Sequence, residues 1–169
     1  MIQVTVLRLF LTLIVSSGLI SVSFAQDTIL VEGKGFRDLV IGSSNVDDVI
    51  RSLGKPDYVE ETKAEYSRNY VYSAAGLKIN FHDDRLNTIS TLPNFDGKTS
   101  KGITLRSSLQ DIEKTYGLPL VAPGKTKDNA KTWAYDGVIF WLKRPWISNW
   151  FDRIDQIVIY DKSFRRSKK

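Results

Sequence analysis

Residues 41–56 read IGSSNVDDVIRSLGKP, and residues 105–119 read LRSSLQDIEKTYGLP. In the first stretch Val46, Val49, Ile50 and Leu53 recur at i, i+3, i+4 and i+7, the apolar stripe of a helix of about three turns. Ser43 and Ser44 are candidate N-caps, and Asp47 and Asp48 place carboxylates in the first turn, where the helix dipole favours them. Gly54 supplies a C-cap and Pro56 prevents the helix from resuming. The second stretch has the same parts in the same order: Ser107 and Ser108 as caps, Leu109, Ile112 and Tyr116 facing inward, and Gly117-Leu118-Pro119 as the stop. Polar residues that recur in this way read as caps and stops that specify a fold.

The neighbouring sequence agrees. Residues 28–31 (TILV) and 39–41 (LVI) are short apolar runs, read as strands or extended entries. Residues 57–68 are charged and read as a strand with a long turn, and Tyr70-Val71-Tyr72 is β-prone. Leu77, Ile79 and Phe81 alternate with Lys78, Asn80 and His82, the pattern of a half-buried strand, and Asp83-Asp84 forms the turn into a strand at residues 85–91 whose facing is open. In the second half Trp133-Ala134-Tyr135 answers Tyr70-Val71-Tyr72. Val138, Phe140 and Leu142 stand where Leu77, Ile79 and Phe81 stood, and Ile154 with Ile157 answers Leu86 with Ile89. The expected class is therefore α+β: two tandem repeats, each a short helix packed on an antiparallel β-meander, helices on one face of the sheet.

Residues 1–25 are expected to be a signal peptide: one positive charge at Arg8, an apolar run over residues 9–20, and Ser23-Phe24-Ala25 before a cleavage point. That run is shorter than the roughly 20 residues a spanning helix needs. The remaining boundaries fall at residues 26–92 for the first repeat, 93–102 for a linker, 103–161 for the second repeat and 162–169 for a basic tail. The chain holds 24 Lys and Arg against 19 Asp and Glu. Arg8 lies in the signal, and Lys162, Arg165, Arg166, Lys168 and Lys169 lie in the tail, so the body is close to neutral. A charge excess confined to one end is not the spread basic face of a nucleic-acid-binding fold; it is either a solvated end or a peripheral contact with an anionic membrane or polymer. There are no cysteines, which excludes disulfides, thiolate metal sites and the acylated cysteine of a lipoprotein.

The pattern I-G-S-S-x-x-x-D-V-I-x-x-L-G-K-P-D, followed by Tyr70-x-Tyr72, Gly76-Leu77-x-Ile79-x-Phe81 and Asp84-Arg85-Leu86-x-x-Ile89, resembles the SmpA/OmlA (BamE-like) outer-membrane assembly lipoproteins. It is also similar to the tandem-repeat β-lactamase inhibitor proteins. The resemblance covers Leu39 to Ile89 well and Ile103 to Ile157 less closely, and it implies a non-enzymatic role in binding other proteins. It departs from both groups in lacking the lipid-bearing cysteine of the first and the disulfides of the second.

Site chemistry is sparse. His82, the single histidine, falls on the outward phase of its strand, and no conventional zinc site can be assembled without a second histidine or a cysteine. Gly97-Lys98-Thr99 and Gly124-Lys125-Thr126 imitate the end of a phosphate loop, but Leu92 and Pro119 stand where the earlier glycine is required. Ser52-Leu53-Gly54-Lys55 matches S-x-x-K only across a helix stop. No catalytic residue, metal or cofactor is expected.

The informative feature is where the halves differ. The tight Asp83-Asp84 turn is replaced by residues 143–151, KRPWISNWF, an insertion of seven residues, and the outward positions Lys78, Asn80 and His82 become Ile139, Trp141 and Lys143. Ile139, Trp141, Lys143, Arg144, Trp146, Trp150 and Phe151 together form the expected binding surface. The alternative use of these aromatics is structural, with Trp146 and Trp150 folding back over Ile139 and Trp141, or the sheet buried on both faces. The functional expectation is an exported module, periplasmic or extracellular, that binds an envelope or secreted protein. The second reading is a small-ligand or glycan binder, or a hydrolase using Asp152 or Asp155 with Trp141 and Trp146 stacking on a sugar.

Overall fold

The first helix is capped by Asn45. Its side chain accepts the Asp48 N–H at 3.0 Å while the Asp48 carboxylate accepts the Asn45 N–H at 3.0 Å, a reciprocal capping box. This corrects the expectation of Ser43 or Ser44. The Ser44 hydroxyl is already engaged by the Val40 N–H at 2.9 Å, and its carbonyl accepts the Leu86 N–H at 2.8 Å, so it closes the turn before the helix. Ser108 caps the second helix in the same manner with Asp111. Both helices are eight residues long, about two turns instead of three, and both end where expected, at Gly54 and Gly117.

The computed structural model describes residues 28–120, 131–143 and 153–162; the segment read as a signal peptide lies outside them. In chain order the elements are β1 (Ile29–Val31), β2 (Gly35–Phe36), β3 (Leu39–Val40), α1 (Val46–Leu53), β4 (Tyr58–Glu61), β5 (Ser67–Tyr72), β6 (Leu77–His82), β7 (Arg85–Thr91), β8 (Lys98–Thr99), α2 (Leu109–Tyr116), β9 (Lys131–Tyr135), β10 (Val138–Lys143) and β11 (Arg153–Tyr160). The class is α+β, with two helices among the described residues packed against largely antiparallel sheet.

A seven-stranded antiparallel sheet has the order β4-β5-β6-β7-β11-β10-β9. The early meander and the late one meet where Val158, Ile159 and Tyr160 pair with Ser90, Ile89 and Thr88. A second, four-stranded sheet of very short strands runs β3-β2-β1-β8, with β1 and β8 parallel. Thus residues 93–102 carry a strand as well as the buried Phe95, whose ring meets Phe36 edge-on.

One face of the large sheet holds the core. Leu77, Ile79 and Phe81 of β6 and Val138, Phe140 and Leu142 of β10 are buried there with Val49 of α1 and Ile112 of α2. Helices this short are marginal alone, and burial of side chains such as Val49 and Ile112, worth about 1.5–3 kcal/mol each, holds them on the sheet. A β-bulge settles the facing of β7: its register against β6 shifts between Asn80 and Phe81, so Leu86 and Ile89, three apart, both point inward. The same shift occurs between Trp141 and Leu142, where Ile154 and Ile157 are three apart. Residues 33 and 137 touch through backbone, the Gly33 N–H donating to the Gly137 carbonyl at 3.0 Å. A side chain at residue 137 would come within 2.2 Å of the Gly33 nitrogen, so this contact needs glycine.

Candidate functional site

The face of the large sheet away from α1 and α2, helix-free among the described residues, differs in chemistry from one end to the other. At the β4–β7 end it is polar and internally bonded. Lys78 Nζ donates to Glu60 Oε2 at 2.9 Å, Asn80 Nδ2 to Asn69 Oδ1 at 2.8 Å and to Ser67 Oγ at 3.0 Å, and Asn87 Nδ2 to Asn80 Oδ1 at 2.9 Å. The Lys78 hydrogen bond and charge hold the Glu60 carboxyl below its usual range. At the other end the cross-strand pairs are Ile139 with Val158 on one side and Ala134 on the other, and Trp141 with Gln156 and Thr132. Ile139, Trp141 and Val158 are each half-buried. Ile139 and Trp141 are therefore brought together, on the face expected for them. Lys143 ends β10 and follows the same strand; Arg144, Trp146, Trp150 and Phe151 lie outside the described residues.

Two features were not anticipated from the sequence. The first is a polar knot between the small sheet and α2. Glu32 accepts hydrogen bonds from the Ser100 and Tyr116 hydroxyls, and the Tyr116 oxygen stands 2.9 Å from Thr99 Oγ1, which also accepts the Ile103 N–H at 3.1 Å. Burial works to raise the Glu32 carboxyl, but the bonds from Ser100, Tyr116 and the backbone N–H groups of Glu32 and Lys101 outweigh it and leave the pKa lowered. Burial first, and then the Glu32 bond, push the Tyr116 phenol upward. The available signal was a tyrosine where the first helix has Leu53: a buried phenol must find a partner. The second is a groove of about 460 Å³ at the end of the large sheet, between the β4–β5 and β6–β7 turns, whose lining includes Glu61, Glu65, Tyr66, Arg68, Asp83 and Asp84.

His82 is exposed with Nε2 3.6 Å from Asp83, at the surface of a turn. Asp83 and Asp84 have φ of 50° and 58°, the conformation of a tight hairpin turn that short polar residues tolerate. Asp155 is exposed, and Asp152 lies outside the described residues. Among the described residues no group of His, Asp and Glu is placed to hold a metal ion, and no helix is long and apolar enough to cross a membrane.

No protein-family model and no curated protein matches the chain. Among solved structures it is similar to a DUF4309 family protein (YjgB) from Bacillus subtilis, 13% identical, over 77% of this chain and 88% of that one, with a TM-score of 0.49. It is also similar to a cysteine-rich secretory protein (SAV1118) from Staphylococcus aureus, 8% identical, over 82% of this chain and 52% of that one, with a TM-score of 0.49. The chain thus spans about half the length of the second.

Proposed function

We propose that this chain is an exported, non-enzymatic protein-binding module made of two copies of one helix-and-meander unit, with the helix-free sheet face of the second copy as its contact surface. The repeat is supported by bonds that recur at equal spacing. The Tyr72 hydroxyl donates to the Gly54 carbonyl at 3.2 Å and the Tyr135 hydroxyl to the Gly117 carbonyl at 3.0 Å, each tying a helix end to a strand eighteen residues later. The Asp57 N–H donates to the Val71 carbonyl and the Leu120 N–H to the Ala134 carbonyl, both at 2.9 Å. The capping boxes and the two bulges recur as well.

The observation that carries the functional reading is the replacement of Lys78, Asn80 and Ser90 by Ile139, Trp141 and Val158 at matching places on the helix-free face. A repeat that keeps its fold-specifying residues while turning three outward positions apolar is adapted to contact. Export is supported by the pattern of residues 1–25, and a binding role by the resemblance to assembly lipoproteins and inhibitor proteins.

The test is crosslinked capture from native envelope and secreted fractions by the full chain and by the double variant Ile139→Ser with Trp141→Ser. The expected outcome is loss of the captured protein with the circular dichroism spectrum unchanged. Undiminished capture by the folded double variant removes this face from the account. Recovery of glycan instead of protein would favour the ligand-binding reading.

A further inference from the structure

The seven-stranded sheet ends on β4, and among the described residues no strand pairs with its outer side. Hydrogen-bond alternation fixes which groups lie on that side. The Asp83 N–H donates to the Tyr66 carbonyl, so even-numbered β5 residues bond to β6 and odd-numbered ones to β4. The Thr62 N–H to Ser67 carbonyl bond has the matching parity, directing Tyr58 and Glu60 toward β5 and leaving the N–H and C=O of Val59 and Glu61 outward. The edge is short and lacks the lysine or proline that commonly blunts such edges. Tyr58 is 51% exposed and Val59 46% exposed. At its end lies the groove described above, where Glu61, Glu65, Asp83 and Asp84 face a single cation, Arg68, whose guanidinium is taken by Asp84. No ion pair among the described residues engages Glu61 or Glu65.

We infer that the free edge of β4 and the groove at its end take an extended, lysine- or arginine-bearing segment of another protein as an added strand. The edge supplies main-chain hydrogen bonds, Tyr58 and Val59 supply apolar contact, and the groove receives the cationic end. Charge argues against a second copy as the occupant: edge-to-edge pairing of β4 with itself would set Glu60 and Glu61 against the same glutamates. This surface is separate from Ile139 and Trp141, and it stands or falls independently of them.

The probe is a short end-blocked peptide of alternating valine and threonine closed by two lysines, added to the full chain and followed by amide NMR and fluorescence anisotropy. Shifts are expected at Tyr58, Val59, Glu61 and Glu65, with slowed amide exchange at Val59 and Glu61. Affinity should fall about tenfold when glutamates replace the lysines, and by a similar factor in the variant Glu61→Lys with Glu65→Lys, both positions being exposed. N-methylating the peptide on its edge-facing amides should abolish binding with no change to the protein. The variant Ile139→Ser with Trp141→Ser should bind the probe as the unaltered chain does. Equal affinity for the lysine and glutamate peptides, undiminished binding of the N-methylated peptide, or shifts confined to the Ile139 and Trp141 face would each overturn the proposal. So would binding that emerges only on removal of residues 163–169, since the chain's own basic end would then be the occupant.

Discussion

Glu32 gathers two hydroxyl donors and two backbone N–H groups, and so fastens the end of β1 to residues 99–101 and to α2. Because its folded pKa lies below the ordinary carboxylate value, the stability it contributes is present above that value and is lost as pH falls through the lowered one. Glu32→Gln, which keeps the shape and removes the charge, should cost about 1 kcal/mol at neutral pH, a figure discounted for partial exposure. Chemical denaturation of both chains across an acid series tests this: the gap in midpoint should be widest near neutrality and close at low pH. A gap that stays constant with pH would mean the charge contributes nothing. The same residue shows where sequence reading stops. Tyr116 is legible as an inward helix position, but its partner Glu32 lies eighty-four residues away and no spacing rule joins them.

At the scale of elements, the caps separate local from tertiary control. Ser43, Ser44 and Asn45 are all suitable cap residues, and the choice among them is made by contacts outside the helix, the Val40 and Leu86 amides that take up Ser44. Asn45→Ala should therefore cost about 1 kcal/mol and Ser108→Ala a similar amount, while the exposed Ser43→Ala should be nearly neutral. Urea midpoints of the three single variants check this, and a loss at Ser43 equal to that at Asn45 would contradict the cap assignment. Helix stops, the β6 alternation and the Asp83-Asp84 turn were legible because each is written in residues within a few positions of one another. The facing of β7 was not, since a bulge breaks its period of two; in the small sheet β1 and β3 were legible as short apolar runs, but β2, β8 and the pairing of the four strands were not, since strands of two residues carry no period.

At the scale of the whole molecule, the apolar helix-free patch was legible from alternation alone, because a strand's outward positions are fixed once its inward ones are known. The β4 edge and its groove were not, because they depend on the order of strands in the sheet and on two turns that the chain separates by some twenty residues. That order also ties residues 26–92 to the rest of the chain at several points: the β7–β11 pairing, the parallel β1–β8 pair, the Gly33–Gly137 contact and the Glu32–Tyr116 bond. A core continuous across these links should unfold in one step. All four tryptophans, Trp133, Trp141, Trp146 and Trp150, belong to the second half, so their fluorescence reports on that half alone. Ile79 is fully buried in the first half, and Ile79→Ala should cost about 2–5 kcal/mol. If the halves fold as one unit, this substitution lowers the tryptophan fluorescence midpoint as far as the far-ultraviolet circular dichroism midpoint. If they fold separately, the fluorescence midpoint stays where it is in the unaltered chain while the circular dichroism transition splits.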